Sequence, residues 1–112
     1  MPNNAQLHAT PYQQTATGTT SAVATQAAVT GQTFYVTDIS GSSDKAAAKI
    51  LVKDGATVIW QDQIQVSAAG ASYYEHTFGT PLKCTSGNSA SVTVDGTSVS
   101  NANLAGFVVN NT

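Results

Sequence analysis

The segment KILVKDGATVIWQDQIQV, residues 49–66, limits the possible folds of this chain more than any other stretch. Two runs rich in β-branched residues flank Asp54-Gly55, a pair that readily takes the positive φ angles of a tight turn. We therefore predict a β-hairpin centred on this pair. Its second arm alternates apolar and polar residues, which is typical of a strand with one buried and one wetted face. The predicted buried face holds Val58, Trp60, Ile64 and Val66, and the wetted face holds Gln61, Gln63 and Gln65.

Four side chains of the predicted strands raise three separate questions. Asp62 interrupts the apolar row of the second arm, and it marks either a β-bulge or a pair with a lysine of the neighbouring strand. Trp60 shares the parity of the apolar residues, so we predict core packing rather than a sugar-stacking platform. Tyr73 and Tyr74 are adjacent and face opposite ways, so one of them is free for an interface or a ligand, and we assign that role to Tyr73.

Alternation with a period of two recurs along the rest of the chain, and no segment shows a sustained helical period. In ASVTVDG, residues 90–96, the alanine and valines share one face and Asp95-Gly96 forms a turn. Further strands are predicted at QTFYVTDIS, YYEHTF, GTPLKC and NLAGFVV, with Pro81 at a strand start or edge. Seven or eight short strands describe an all-β fold, a single antiparallel β-sandwich that is jelly-roll-like.

The N-terminal part of the chain differs from the rest, because YQQTATGTTSAVATQAAVTG contains no charged residue and one aromatic. We predict an extended N-terminal arm, residues 1–30, and a β-sandwich domain, residues 31–112. Burial of the arm's few apolar residues cannot offset a backbone ordering cost of roughly 1–2 kcal/mol per residue, so we expect a partner to order it. The predicted partner-binding residues are Leu7, Tyr12 and Val23 of the arm and Tyr73 of the sandwich.

Composition argues against several function classes. Charged residues make up 9% of the chain and none is arginine, so the phosphate-binding surface of a nucleic-acid protein is not expected. The first residues lack the basic and apolar regions of a signal peptide, and no apolar run of about 18 residues could span a membrane. Cys84 is the one cysteine and cannot form an intrachain disulfide. A sandwich of about 80 residues without disulfides is marginally stable alone, so we expect a homo-oligomer.

No arrangement of titratable residues predicts catalysis. Glu75 and His76 are adjacent on a strand, so they point to opposite faces and cannot act on one substrate atom. Cys84 lies in no motif that would lower the pKa of its thiol, and we interpret it as a small buried hydrophobe. The segment DISGSSD offers too few carboxylates for a calcium site, and a Ser/Gly-rich turn is preferred. We predict no catalytic residue, no cofactor and no metal.

The combination of a polar arm with GQTFYVTDISGSS, DGATVIW, HTFGTPLKC, SASVTVDG and NLAGFVVNN resembles small β-sandwich virion proteins of tailed bacteriophages. The resemblance is strongest to capsid decoration, or cement, proteins. It implies a non-enzymatic structural protein, made in the host cytoplasm, that binds the major capsid protein on the capsid surface and stabilises the head shell. It also implies a homotrimer whose arms reach over neighbouring capsid subunits. Neither nucleic acid nor membrane is expected as a partner.

Two other functions remain open. The first is a phage fibre or receptor-binding module that recognises host surface glycans through exposed aromatics and Asn-rich loops such as SNAN and VVNNT. The second is a cellular sandwich that binds a small ligand or calcium. The absence of a shaft-like repeat and the single-domain length favour the decoration protein over the fibre module.

Overall fold

The computed structural model describes residues 9–44, 48–64, 72–96 and 99–110. Within these ranges the chain forms eight β-strands: β1 (Ala9–Gly18), β2 (Ser21–Gln26), β3 (Gln32–Ser43), β4 (Ala48–Asp54), β5 (Thr57–Ile64), β6 (Ser72–Lys83), β7 (Ala90–Asp95) and β8 (Ser100–Asn110). Among the described residues, no helix has the length and apolar character needed to cross a membrane. Leu7, Gln65 and Val66 lie outside the described residues.

The strands pair as one long hairpin that is rolled into a sandwich. β1 pairs with β8, β2 with β7, β3 with β6 and β4 with β5, all antiparallel. Two further pairings, β3 with β8 and β4 with β7, complete two four-stranded sheets. Sheet A has the order β1-β8-β3-β6, and sheet B has the order β2-β7-β4-β5. This arrangement is an eight-stranded jelly roll, so the predicted all-β sandwich is confirmed.

Inward-facing side chains from both sheets form one apolar core. The largest are fully buried: Phe34, Val36, Ile50, Val52, Ile64, Val92, Val94 and Leu104. The three β7 residues predicted to share the inner face, Ala90, Val92 and Val94, are all fully buried. A Cβ atom at Gly41 of β3 would overlap the Val94 side chain and crowd Ile50. The close approach of the two sheets therefore requires a glycine at this position.

Residues 9–26 belong to the sandwich, in place of the extended arm predicted for residues 1–30. β1 pairs with β8 from Ala9 to Gly18, and all six residues of β2 pair with β7. Ala22 and Ala24 of β2 are 3% and 1% exposed. The partner that orders this segment is thus the same chain, because β7 and β8 satisfy its backbone hydrogen bonds.

The predicted hairpin is confirmed, with Gly55 at a φ of 60° in the turn between β4 and β5. Asp54 ties this turn to the connection between β6 and β7. Its carboxylate accepts hydrogen bonds from Thr85 N at 2.9 Å, Thr85 Oγ1 at 2.7 Å and Asn88 Nδ2 at 3.0 Å. Desolvation raises the pKa of Asp54, but these hydrogen bonds outweigh it and lower the pKa overall.

A β-bulge changes which residues of β5 face the core. Val52 lies opposite Trp60 and Lys53 lies opposite Val58, so Ile59 has no counterpart on β4. The extra residue turns Val58 to the outer face of sheet B, where it is 42% exposed. The prediction that Val58 shares a buried face with Trp60 is therefore wrong, because strict alternation does not hold through a bulge.

A second bulge, at Thr37 of β3, accompanies the seating of Tyr12 inside the sandwich. The Tyr12 hydroxyl donates a hydrogen bond of 2.9 Å to the carbonyl oxygen of Tyr35, and its ring packs edge-on against Phe34 at 5.6 Å. Tyr12 lies opposite Gly106, where a Cβ atom would collide with the Tyr35 carbonyl and crowd the Tyr12 ring. Burial raises the pKa of the Tyr12 hydroxyl. Tyr12 therefore anchors β1 within its own chain.

Candidate interaction surfaces

The outer face of sheet B carries an exposed apolar patch. Val23 lies on the edge strand β2 and is 50% exposed, and Val58 lies on the opposite edge strand β5. Leu51 of β4 is half-buried and shares a row with Val23, with Thr93 of β7 between them. We call Val23, Leu51 and Val58 the B-face patch. It runs from one edge of the sheet to the other.

Charged side chains frame the B-face patch. Lys49 and Lys53 precede and follow Leu51 by two residues on β4, so all three side chains lie on the same outer face. Asp95 of β7 lies opposite Lys49 in the pairing of β4 with β7. Because the chain has four lysines in all and no arginine, two of its four cationic side chains lie beside this patch.

The outer face of sheet A is polar and hydrogen-bonded from strand to strand. Asn101 accepts a hydrogen bond from Thr17 Oγ1 at 2.8 Å and donates one to Ser42 Oγ at 3.1 Å. Asn103 donates one to Ser40 Oγ at 3.0 Å. These bonds orient the two amide groups. The A-face rows are Thr17–Asn101–Ser42–Tyr73, Thr15–Asn103–Ser40–Glu75 and Gln13–Ala105–Asp38–Thr77.

A shallow depression of about 190 Å³ opens on the second and third of these rows. Glu75 and Asp38 line it, and both side chains are exposed. Tyr73 is 65% exposed and donates its hydroxyl to Glu75 Oε2 at 3.3 Å. Thr77 donates its hydroxyl to Asp38 Oδ1 at 2.7 Å. None of the three rows contains a lysine, so the depression is acidic.

An aromatic pair lies on the next row along the strands, on the side of the depression away from Tyr73. The rings of Tyr35 and Phe107 stack with their centroids 4.7 Å apart and an angle of 11° between their planes. Pro11 is opposite Phe107 on β1, and Lys83 is opposite Tyr35 on β6. Both rings are half-buried. The polar depression is thus flanked by Tyr73 on one side and by an aromatic pair on the other.

The edge strands β5 and β6 meet along one side of the sandwich in an aromatic cluster. The Trp60 ring lies 5.2 Å from both His76 and Phe78. Tyr74 donates its hydroxyl to Asp62 Oδ2 at 2.7 Å, and this bond is the main cause of the lowered pKa of Asp62. Burial, followed by the same bond, raises the pKa of Tyr74 to about 12. Asp62 therefore pairs with a phenol of sheet A, whereas the sequence suggested a bulge or a lysine partner.

The four predicted partner-binding residues occupy different settings. Val23 belongs to the B-face patch and Tyr73 to the A-face rows, so they lie on opposite faces of the sandwich. Tyr12 points inward, where its ring and hydroxyl already have partners in the same chain. Leu7 lies outside the described residues. The predicted residues therefore do not form one site.

The titratable residues that were weighed for catalysis lie apart. Glu75 is on the outer face of sheet A, whereas the His76 ring packs with Trp60 and Phe78 along the side of the sandwich. Cys84 is 1% exposed, and burial, with a smaller effect of the Asp54 charge, raises the pKa of its thiol to about 11. In the part of the chain that the structure describes, no group of three or more His, Cys, Asp or Glu side chains could hold a metal ion.

The segment DISGSSD is part of a strand rather than the predicted turn, because β3 continues to Ser43. Asp38, Ser40 and Ser42 share the outer face of sheet A. Alternate residues of a strand are about 7 Å apart, whereas calcium ligands lie about 2.3–2.6 Å from the ion, so these three side chains cannot all reach one ion. Their oxygen atoms instead join the hydrogen bonds of the A-face rows.

Two features of the outer face of sheet A were not identified from the sequence. The segment SNAN was assigned to a loop, but it begins β8, and Asn101 and Asn103 contribute to the A-face rows. The stacking of Tyr35 on Phe107 was also missed. The signal for both was the alternation in SNANLAGFVV, where Asn101, Asn103 and Phe107 share one parity.

Comparisons with known proteins give similarity in structure alone. No protein-family profile matches the sequence, and no curated protein matches it. The similar structures include the virus-like particle of the extra small virus of the giant freshwater prawn Macrobrachium rosenbergii (12% identity, TM-score 0.40, 89% of this chain and 79% of that one). They also include the CBM36-1 domain of a multidomain xylanase from the hindgut metagenome of Trinervitermes trinervoides (17% identity, TM-score 0.37, 88% of this chain and 77% of that one). A third is PliG of Aeromonas hydrophila, a periplasmic inhibitor of g-type lysozyme (16% identity, TM-score 0.35, 89% of this chain and 86% of that one). At these identities and TM-scores, the matches assign no function to the chain.

Proposed function

We propose that this chain is a non-enzymatic structural protein of a bacteriophage virion that decorates and stabilises the head shell. Its jelly-roll architecture supports the proposal, because viral capsid domains commonly use this fold. Lectin domains and other proteins share the architecture, so the fold alone does not assign a role. The surface chemistry of the two faces has to distinguish between these functions.

The observation that carries the proposal is the B-face patch. Exposed valines on both edge strands, with Leu51 and Thr93 between them, form a largely apolar strip that can pack against a flat partner. Full burial of an exposed valine side chain contributes about 1.5–3 kcal/mol, and about half of each valine's surface remains to be buried by a partner. Lys49 and Lys53 beside the strip favour a partner surface that carries carboxylates. We assign this partner as the major capsid protein.

The remainder of the surface suits a protein that works in many copies. Only 9% of the residues are charged, so covering this surface desolvates few ions. Many copies on one shell turn modest contacts into strong attachment. We propose a homotrimer as the attaching unit and the capsid surface as its location, after synthesis in the host cytoplasm.

The seating of residues 9–26 alters how attachment works. A free arm would lose affinity to the entropy of ordering, whereas Val23 is already held on a paired strand. The proposed contact surface is therefore preformed. Attachment should consequently depend on the side chains of the B-face patch more than on the ordering of a disordered segment.

The B-face patch is tested by placing a charge at its edge. We expect Val23→Glu to weaken binding to purified shells that lack this protein by about tenfold or more, because a buried valine contact is replaced by a carboxylate. Co-sedimentation of the full chain with the shells measures the effect. Val29→Glu is the matched control, because Val29 is 44% exposed but lies outside the patch. Equal shell binding by both variants would overturn the assignment of this surface.

A second candidate function is supported by the opposite face. The A-face rows combine oriented amides, two carboxylates and flanking aromatic rings. Such a surface suits a phage fibre or receptor-binding module that recognises host surface glycans. This function requires no affinity for shells, so the co-sedimentation experiment separates it from the first.

A further inference from the structure

We infer that the outer face of sheet A binds a neutral oligosaccharide, which lies across the depression between Tyr73 and the Tyr35–Phe107 pair. The inference gives the glycan-recognition alternative a defined site. It does not depend on whether the B-face patch binds a shell, because the two surfaces are on opposite sides of the sandwich. A decoration protein with such a face would also attach virions to glycans.

The polar groups of the depression match the hydroxyl groups of sugars. A sugar hydroxyl both donates and accepts hydrogen bonds, so it is best held by carboxylate and amide groups together. Glu75 and Asp38 supply acceptors, and Gln13 and Asn103 supply amides, within one depression. Ionised acceptors form the stronger hydrogen bonds. Asn103 is already oriented by its bond to Ser40, so little side-chain freedom is lost on binding.

Aromatic rings flank these polar groups, as recognition of the apolar C–H faces of a sugar requires. The electron-rich face of an aromatic ring attracts such C–H groups. Tyr73 is the most exposed of the large apolar residues that the structure describes, at 65%. On the other side, Tyr35 and Phe107 are held parallel at 4.7 Å. A ligand with alternating polar edges and apolar faces can contact both kinds of group.

The dimensions favour a chain of sugars over a single one. Successive rows on one face of a sheet are about 7 Å apart, because two residues separate them. Three row intervals separate Tyr73 from the row of Tyr35 and Phe107, so the flanking aromatics are about 20 Å apart along the strands. The depression itself is about 190 Å³ and shallow. An extended oligosaccharide therefore contacts the whole surface, whereas a monosaccharide reaches only part of it.

The charge of the face selects against acidic glycans. The three A-face rows carry Asp38 and Glu75 and no lysine, and Lys83, opposite Tyr35 on the next row, leaves the face with a net negative charge. Like charges brought together at an interface oppose binding. Sialylated or sulfated chains should therefore bind more weakly than neutral chains of the same length.

The test is an array of neutral and sialylated oligosaccharides probed with the full chain, followed by isothermal titration with the neutral oligosaccharide that binds best. We expect neutral oligosaccharides to bind, and we expect the affinity of their sialylated forms to be lower by about tenfold or more. Glu75→Gln should weaken binding about tenfold, because it removes a charged acceptor. Tyr73→Ala should weaken it similarly by removing the exposed ring.

Gln63→Ala is the control, because Gln63 is exposed on sheet B and distant from the depression. It should leave glycan binding unchanged, and thermal unfolding should show that all three variants remain folded. The inference is overturned if no glycan binds at millimolar concentration, or if Glu75→Gln and Tyr73→Ala bind as the unchanged protein does. Loss of glycan binding in these two variants should leave shell binding intact, so this inference and the proposed shell attachment can fail separately.

Discussion

Deletion of residues 1–30 is expected to abolish cooperative folding of this chain. The deletion removes β1 and β2, which form one edge of each sheet, and it takes Ala22 and Ala24 out of the core. It also leaves the hydrogen-bonding edges of β7 and β8 without partners. A small domain has a total stability of only roughly 5–15 kcal/mol, which is too little to absorb the loss of two strands. Circular dichroism during heating of the purified fragment measures the outcome.

Point substitutions in β2 separate a role in the core from a general effect of truncation. Ala24→Asp places a carboxylate at a position that is 1% exposed, and it should destabilise the protein by several kcal/mol. Thr25→Asp, at the next residue, places the same group on the exposed outer face and should change stability by about 0.5 kcal/mol or less. If a fragment of residues 31–112 unfolded cooperatively near the melting temperature of the full chain, β1 and β2 would be dispensable for folding.

Phe34→Ala is expected to lower the free energy of unfolding by about 3–5 kcal/mol. Phe34 is fully buried, and its ring contacts Tyr12, so truncation leaves a cavity beneath β1. The substitution thus removes a large part of the stability of a domain of this size. Urea unfolding followed by tryptophan fluorescence provides the measurement, because Trp60 packs against the same core.

Phe107→Ala is the matched control for this effect. Phe107 is half-buried on the outer face of the same sheet, where Tyr35 is its one stacking partner among the aromatic rings that the structure describes. Its truncation opens no enclosed cavity, so a loss of about 1–2 kcal/mol is expected. Equal losses for the two substitutions would contradict the assignment of Phe34 to the core.

The strands that could be predicted from the sequence are those with large inward-facing residues. β3, β7 and β8 carry buried Phe34, Val92 and Leu104, and their alternation is visible in the sequence. β2 was missed because its inward residues, Ala22 and Ala24, contribute little apolar area. Its one large apolar residue, Val23, faces outward. Alternation of hydrophobicity therefore gave no signal for a strand that pairing with β7 holds in place.

The bulge at Ile59 explains the wrong facing predicted for Val58. Ile59 and Thr37 each add one residue to a strand, and each reverses the facing of the residues beyond it. Nothing in the local sequence marks either position, because no glycine or proline accompanies them. Val58 was consequently assigned to the core, although it contributes to the B-face patch.

The candidate surfaces could be predicted only in part. Val23 and Tyr73 were predicted to bind a partner, and both side chains are exposed. The association of Glu75 with Asn103 and Ser40 depends on the pairing of β3 with both β6 and β8. That pairing joins residues distant in sequence, so residue spacing within one strand could not indicate it.

The most direct test of the proposed role as a phage decoration protein is quantitative mass spectrometry of virions purified from the source of this chain. We expect the chain in many copies, at a fixed ratio to the major capsid protein, because a decoration subunit occupies equivalent positions over the whole shell. Its absence from the particle, or its presence in only the few copies typical of a fibre, would contradict a role as a decoration protein.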